Sequence, residues 1–145
     1  MSGPTRAAIV AAARSWIGTP YHHQASLRGV GCDCLGLLRG VWREVIGPEP
    51  AHVPPYRPDW ALAGEDSLLA AAELHLEPIA VDLSDAGDVL LFRWRGHLPA
   101  KHCAILTDRD AMVHAHDGAA VAEVALTPWW RRHRAGAFRF PGLGR

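Results

Sequence analysis

Between Val89 and His116 the chain reads VLLFRWRGHLPAKHCAILTDRDAMVHAH, and this stretch decides the fold. Three short β-like runs follow one another in it: Val89 to Arg93, His102 to Thr107 and Ala111 to His116. A turn around Asp108 to Asp110 separates the last two, which is the pattern of neighbouring antiparallel strands. Further strands are predicted at Pro78 to Val81, Ala119 to Val124 and Ala137 to Phe140, and Thr127-Pro128 followed by Trp129 to Arg134 reads as a single helical turn. Upstream the period changes. Ile9, Ala12, Ala13, Trp16 and Ile17 recur at helical spacing, with Pro4 in the first turn and Gly18 and Pro20 closing the segment. After a Gly-rich loop from Gly29 to Gly31, Leu35, Leu38, Trp42 and Val45 mark a second helix that begins at about Asp33-Cys34 and ends at Gly47-Pro48. Pro48 to Pro58 holds five of the eleven prolines and is predicted to be extended; Asp59 to Leu76 reads as one or two short helices broken near Gly64. Helices first and strands afterward is the order of an α+β fold, with N-terminal helices packed on an antiparallel β-sheet.

The 145 residues, 49% of them hydrophobic, have the profile of a single domain over residues 1–145. A chain of this length buries roughly 68–70% of its unfolded surface, so the core needs neither disulfides nor a metal. The longest apolar stretch, Ala7 to Ala13, and shorter ones such as Val89 to Phe92 fall short of the ~18 residues of a membrane helix, so no membrane insertion is expected. Ala7 to Ala13 runs on through Arg14, Ser15 and Trp16 as an amphipathic helix does, which favours a helix over a signal-peptide core and synthesis in the cytoplasm without a signal peptide. Fifteen basic and fifteen acidic residues cancel, yet residues 49–90 carry nine acids against Arg57 alone. That acidic middle, with scattered rather than striped arginines elsewhere, excludes nucleic acid as a partner. Cys32, Cys34 and Cys103 are odd in number, so at least one thiol is free.

Cys34 falls at the predicted start of an apolar helix, where unpaired backbone N–H groups and the helix dipole favour a thiolate. A cysteine is otherwise a small core hydrophobe, and position alone does not decide between the two. The histidines add weight. If the hairpin centres on Asp108, His102 lies directly opposite His114, with Cβ atoms ~4.5–5.5 Å apart, as a base and its orienting partner. A register shifted by two residues puts His116 there instead.

Five blocks then carry a resemblance: Gly18-Thr19-Pro20-Tyr21, Asp33-Cys34-Leu35-Gly36-Leu37-Leu38, Ala86-Gly87-Asp88-Val89-Leu90-Leu91-Phe92, His102-Cys103-Ala104-Ile105-Leu106 and Met112-Val113-His114-Ala115. In this order they resemble the NlpC/p-sixty family of cell-wall peptidases, and more closely its phage-type members among the tail genes of phages and gene transfer agents. The resemblance implies a papain-like fold and a cysteine peptidase. Its substrates would be the stem peptides of peptidoglycan, cut commonly between D-glutamate and diaminopimelate. It makes Cys34 the nucleophile, His102 the general base and then acid, and His114 the residue that orients His102. Tyr21 matches a tyrosine beside the nucleophile that helps hold substrate or oxyanion. Asp33 either caps the helix or meets a substrate amine, and Asp88 shapes a turn. No cofactor and no metal is implied. The implied partners are tail-tip or hub proteins of a phage-like particle, with action in the periplasm at the cell wall. The chain departs from the family at Leu35, where Ser is usual, at Cys32, where an aromatic is usual, and in the segment from His22 to Gly31, which lacks a short Gly-Gly turn.

Two other readings compete. One is a zinc site drawn from Cys32, Cys34, His102, Cys103, His114 or His116. Against it, Cys32-x-Cys34 has one intervening residue where finger-type sites have two to four, and Cys103 faces away from His102 on a strand. The other is a structural tail module with a non-catalytic site, in which Trp129 and Trp130 beside Arg131, Arg132 and Arg134 form a binding edge.

Overall fold

The central strand explains the rest of the architecture. In the computed structural model, which describes residues 3–50, 67–96 and 98–143, His102–Asp108 is buried from its first residue through Thr107. An unbroken apolar run of this kind needs cover on both sheet faces. One face is covered by helix α1 (Arg6–Arg14), a small hairpin of β1 (Ser26–Leu27) and β2 (Gly31–Cys32), helix α2 (Cys34–Val45) and helix α3 (Ser67–His75). Strands β3 (Glu77–Ile79), β4 (Val89–Phe92), β5 (His102–Asp108), β6 (Ala111–His114) and β7 (Ala122–Ala125) follow, then the short helix α4 (Pro128–Arg132) and β8 (Arg134–Arg139). The six-stranded sheet has the order β3-β8-β4-β5-β6-β7, and every neighbouring pair is antiparallel.

Alternation along the strands divides the core. Val89, Leu91, Cys103, Ile105 and Val113 meet Ile9, Ala13, Leu37 and Val41 of the two N-terminal helices. Leu90, Phe92, Ala104, Leu106 and Met112 face the other way and are covered by Leu126, Trp94 and Trp130. Each fully buried Leu, Ile or Phe contributes about 1.5–3 kcal/mol, so both layers are needed to hold β4 and β5 in place.

The α+β expectation holds, and several details differ. Pro4 precedes the N-cap Thr5, whose hydroxyl accepts the Ala8 N–H, so it stands outside the first turn. Trp16 and Ile17 lie beyond the end of α1, and Ile17 is exposed while Trp16 is buried. Trp16 reaches back so closely over α2 that a methyl at Gly40 would overlap its ring. The expected Gly29-to-Gly31 loop is the turn of the β1–β2 hairpin, with Ser26 opposite Cys32. Val81–Leu83 is a 3₁₀ turn rather than the end of a strand, and β8 starts at Arg134, three residues before the expected Ala137. Of the predicted helical segment Asp59 to Leu76, residues 59–66 and the break near Gly64 lie outside the described residues, as does most of the Pro48-to-Pro58 connection.

Asp88 closes the turn into β4 and is completely buried. Arg139 of β8 donates through Nε to Oδ1 and through Nη2 to Oδ2, both at 3.0 Å. Arg6 of α1 approaches Oδ2 at 3.3 Å, and the Asp85 N–H donates to the same oxygen at 2.9 Å. One carboxylate thus ties the first helix to the last strand, which fits the structural reading of Asp88. Asp88→Ala should destabilise the fold by about 1–3 kcal/mol, because the Asp85 N–H and two partly exposed guanidinium groups lose their acceptor. A urea denaturation midpoint within experimental error of wild type would contradict this.

Candidate active site

The site begins where β2 ends. Asp33 has extended backbone and is the N-cap of α2: its Oδ1 accepts the Gly36 N–H at 2.7 Å. Its Oδ2 accepts the Gln24 N–H at 2.8 Å, with Gln24 held in the left-handed region at φ 66°. Both oxygens serve the backbone and the side chain is buried, so of its two sequence readings Asp33 has the geometry of the cap. Gly36 is required by crowding, since a methyl there would overlap the Ala25 carbonyl.

Cys34 is therefore the first residue of a twelve-residue helix, facing the sheet. Its neighbour across the interface is Cys103 of β5, whose thiol donates to the Cys34 carbonyl at 3.2 Å. The Cys34 thiol is held well below its ordinary range, first by a hydrogen bond from Cys103, then by a hydrogen bond and positive charge from His102, against the opposing effect of burial. The same contact with Cys34 pushes Cys103 well above its ordinary range, with burial adding to it. Burial, and the negative charge of Asp33 and Cys34, push Cys32 up to about 12. Of the three free thiols, the one at the helix start is the one shifted toward the thiolate. It is also the most accessible, with 9% of its surface exposed against 0% for Cys32 and 1% for Cys103.

His102 is the first residue of β5 and is buried. Its Nε2 lies 2.9 Å from Nδ1 of His114 on β6. Burial, then the positive charges of His102 and His116, lower His114 to about 3, so at neutral pH it is uncharged. With His114 uncharged, one proton lies between the two facing nitrogens; we assign it to His102 Nε2, the tautomer that leaves His102 Nδ1 for Cys34.

The strand register that delivers this pair is not the expected one. Ile105 lies opposite Val113 and Leu106 opposite Met112, which is the register shifted by two. Continued outward, it sets His114 across from Ala104 and His116 across from His102. The cause is the turn. Asp108 pairs with Ala111 across an irregular step, and its carboxylate accepts the Asp110 N–H at 2.6 Å, so only Arg109 and Asp110 form the loop. His114 still bonds to His102, on the diagonal, because both side chains stand on the same face.

Aromatic rings wall the imidazoles. Trp130 and Trp94 lie nearly parallel to His102, at 5.6 and 5.9 Å between centroids and 29° and 26° between planes. Trp130 also meets His114 edge-on at 5.4 Å. The two indoles fix the plane of the His102 ring. Trp130 is thus part of the site and the second core layer rather than of a binding edge; Trp129 is exposed and stacks on His133 at 3.9 Å. Tyr21 is half-buried and bridges to Cys32. Its phenol is shifted upward, first by burial and then by the negative charge of Cys34, so it keeps its proton and can donate. Sequence reading placed Cys103 only in a metal set and overlooked Trp94; alternation along β5 pointed Cys103 toward α2, but nothing local marked the tryptophans.

Comparison with known proteins gives a consistent picture. The NlpC/P60 family model matches residues 18–139. No curated protein matches the chain. Among solved structures, the NlpC/p60 domain of the peptidoglycan hydrolase SagA is 26% identical with a TM-score of 0.64, over 93% of this chain and 98% of that one. An NlpC/P60 family protein from Bacillus cereus is 20% identical with a TM-score of 0.68, over 95% of this chain. RipB, a peptidoglycan hydrolase from Mycobacterium tuberculosis, is 16% identical with a TM-score of 0.59, over 92% of this chain. The chain spans 41% and 63% of the length of the last two.

Proposed function

The chain belongs to the NlpC/P60 family, and from that premise we propose that it is a cysteine peptidase that hydrolyses peptidoglycan stem peptides, at the D-glutamyl–diaminopimelate bond, as a component of a phage-like tail. The observation that carries the peptidase reading is a cysteine at the start of α2, its thiol shifted downward in part by His102, beside two hydrogen-bonded imidazoles. In this mechanism Cys34 attacks the amide carbonyl and the C–N bond breaks as His102 protonates the leaving amine, giving a thioester. His102 then takes a proton from water, which attacks the thioester and frees Cys34. His114 orients His102. The oxyanion is met by the Cys34 N–H, which helix geometry leaves without an intrahelical partner, and by the Tyr21 hydroxyl. SagA and RipB are peptidoglycan hydrolases, which supports the substrate class.

The stem-peptide bond and the tail role rest on the resemblance of the five sequence blocks to phage-type relatives. A tail-tip or hub protein could dock on the acidic, Pro-rich stretch from Pro48 to Asp66, most of which lies outside the described residues, or on the Trp129-Trp130 edge, of which Trp130 is engaged at the site. Exposed Trp129 remains. Purified disaccharide peptides should yield a product pair split between D-glutamate and diaminopimelate by mass spectrometry; an intact digest overturns the peptidase reading, and another bond corrects the specificity. The protein should cofractionate with phage-like particles at the tail tip, acting at the wall of the cell being entered. Its presence only as free protein would overturn that placement.

A further inference from the structure

Residue His116 has no part in the mechanism above, yet it completes a cluster. One ligand nitrogen from each of His102, His114 and His116 lies within 4.8 Å of the other two. The rings of His114 and His116 are nearly parallel, 5.6 Å apart, and His102 stands perpendicular to both. Two of the three are buried and fixed by the sheet, and His116 is exposed just past the end of β6.

These are the dimensions of an open three-histidine metal site. Zinc takes imidazole nitrogens at about 2.0–2.1 Å in a tetrahedron, which sets them about 3.3 Å apart. His102 and His114 begin at 2.9 Å and must open by a few tenths of an ångström. His116, being exposed, closes the remaining gap by side-chain rotation. The ligand set is all imidazole, which suits zinc better than a hard cation. Trp94 and Trp130 supply an apolar shell, and the negative charges of Asp117 and Cys34 lie near His116 to offset that of the metal.

The geometry points to a site for a divalent zinc ion on His102, His114 and His116 that switches the peptidase off when filled. Zinc would replace the proton now shared between His102 Nε2 and His114 Nδ1, and that proton leaves to solvent. His102 keeps only its Nδ1–H. A ring bound to zinc is a weaker acid than an imidazolium and is held in place, so protonation of the leaving amine fails. The inhibitory consequence rests on the reading of His102 as the catalytic acid; the metal site itself does not.

Calorimetric titration of zinc chloride into the whole protein tests the two parts separately. Wild type and Cys34→Ala should each bind one zinc, the variant no more than about tenfold more weakly for want of the nearby negative sulfur. His116→Ala should bind more weakly, by more than the roughly tenfold cost of losing an outer-sphere partner. Cobalt in place of zinc should give a spectrum without sulfur charge-transfer bands. Peptidase activity should fall with zinc occupancy and return with EDTA, and His116→Ala, with wild-type activity in metal-free buffer, should resist inhibition. Absence of saturable binding, binding lost in Cys34→Ala, or binding unchanged in His116→Ala would overturn the site. Binding that follows the variants while activity stays constant upholds the site and overturns the role given to His102.

Discussion

Cys34→Ala should lower hydrolysis of stem peptides by about 10⁴- to 10⁶-fold, the range seen when a covalent nucleophile is removed from a peptidase. The methyl group cannot form the thioester. The fold should survive, because Ala is the strongest helix former and the Cys103 thiol donates to the backbone carbonyl of residue 34, which the substitution keeps. The measurement is kcat/KM beside a denaturation midpoint. Iodoacetamide gives a second readout that needs no substrate. Alkylation of wild type should modify one cysteine, with a pH midpoint well below the ordinary thiol value, since the Cys34 thiolate persists as pH falls while Cys32 and Cys103 stay protonated. EDTA should not reduce activity. Residual turnover near wild type in Cys34→Ala, or loss of activity on chelation, would discard the thiol mechanism.

The second large effect belongs to His114. His114→Ala should reduce kcat by about 10²- to 10⁴-fold, as when the orienting member of a triad is lost and the base samples the wrong tautomer. Because His114 is neutral, what is lost is an acceptor and not a charge, so His114→Asn, with its amide oxygen near the position of Nδ1, should recover much of the rate. His116→Ala should change kcat by no more than a few-fold. Stability carries an independent signature. His114 titrates near 6.5 when unfolded and at about 3 when folded. Between those values the unfolded chain binds more protons, so stability falls as pH drops through that window. The fall should be shallower in His114→Asn. Equal kcat losses for His114→Ala and His116→Ala would remove the distinction between the two histidines.

Much of this was readable in advance, for identifiable reasons. The start of α2 is marked locally by Asp33, a capping residue, followed by apolar residues at helical spacing, so Cys34 could be placed at a helix N-terminus from sequence. Strands β4 to β6 are short apolar runs separated by turn residues. Register is different in kind, because it is set by where the turn closes. Arg109 alone could not reveal that Asp108 folds its carboxylate onto the Asp110 N–H and tightens the loop. The partnership of His102 with His114 survived that error because a two-residue slip preserves the face. Strands β1 and β2 span two residues each, below any periodic signal. The packing of Trp130 and Trp94 on His102 joins distant parts of the chain and leaves no mark near any of them.

The double grip of Asp33 gives the loop leading into α2 an uneven freedom. Its root is pinned where Gln24 meets the carboxylate and where the Cys32 N–H donates to the Pro20 carbonyl at 3.0 Å. Its tip, at Leu27 and Val30, projects into solvent with 60% and 63% of each residue exposed. A mutation at the tip is therefore mechanically insulated from the sulfur, whereas one at the root tilts the helix that aims it. The side chains at Leu27 and Val30 can change while the helix start that aims the nucleophile stays where Asp33 holds it.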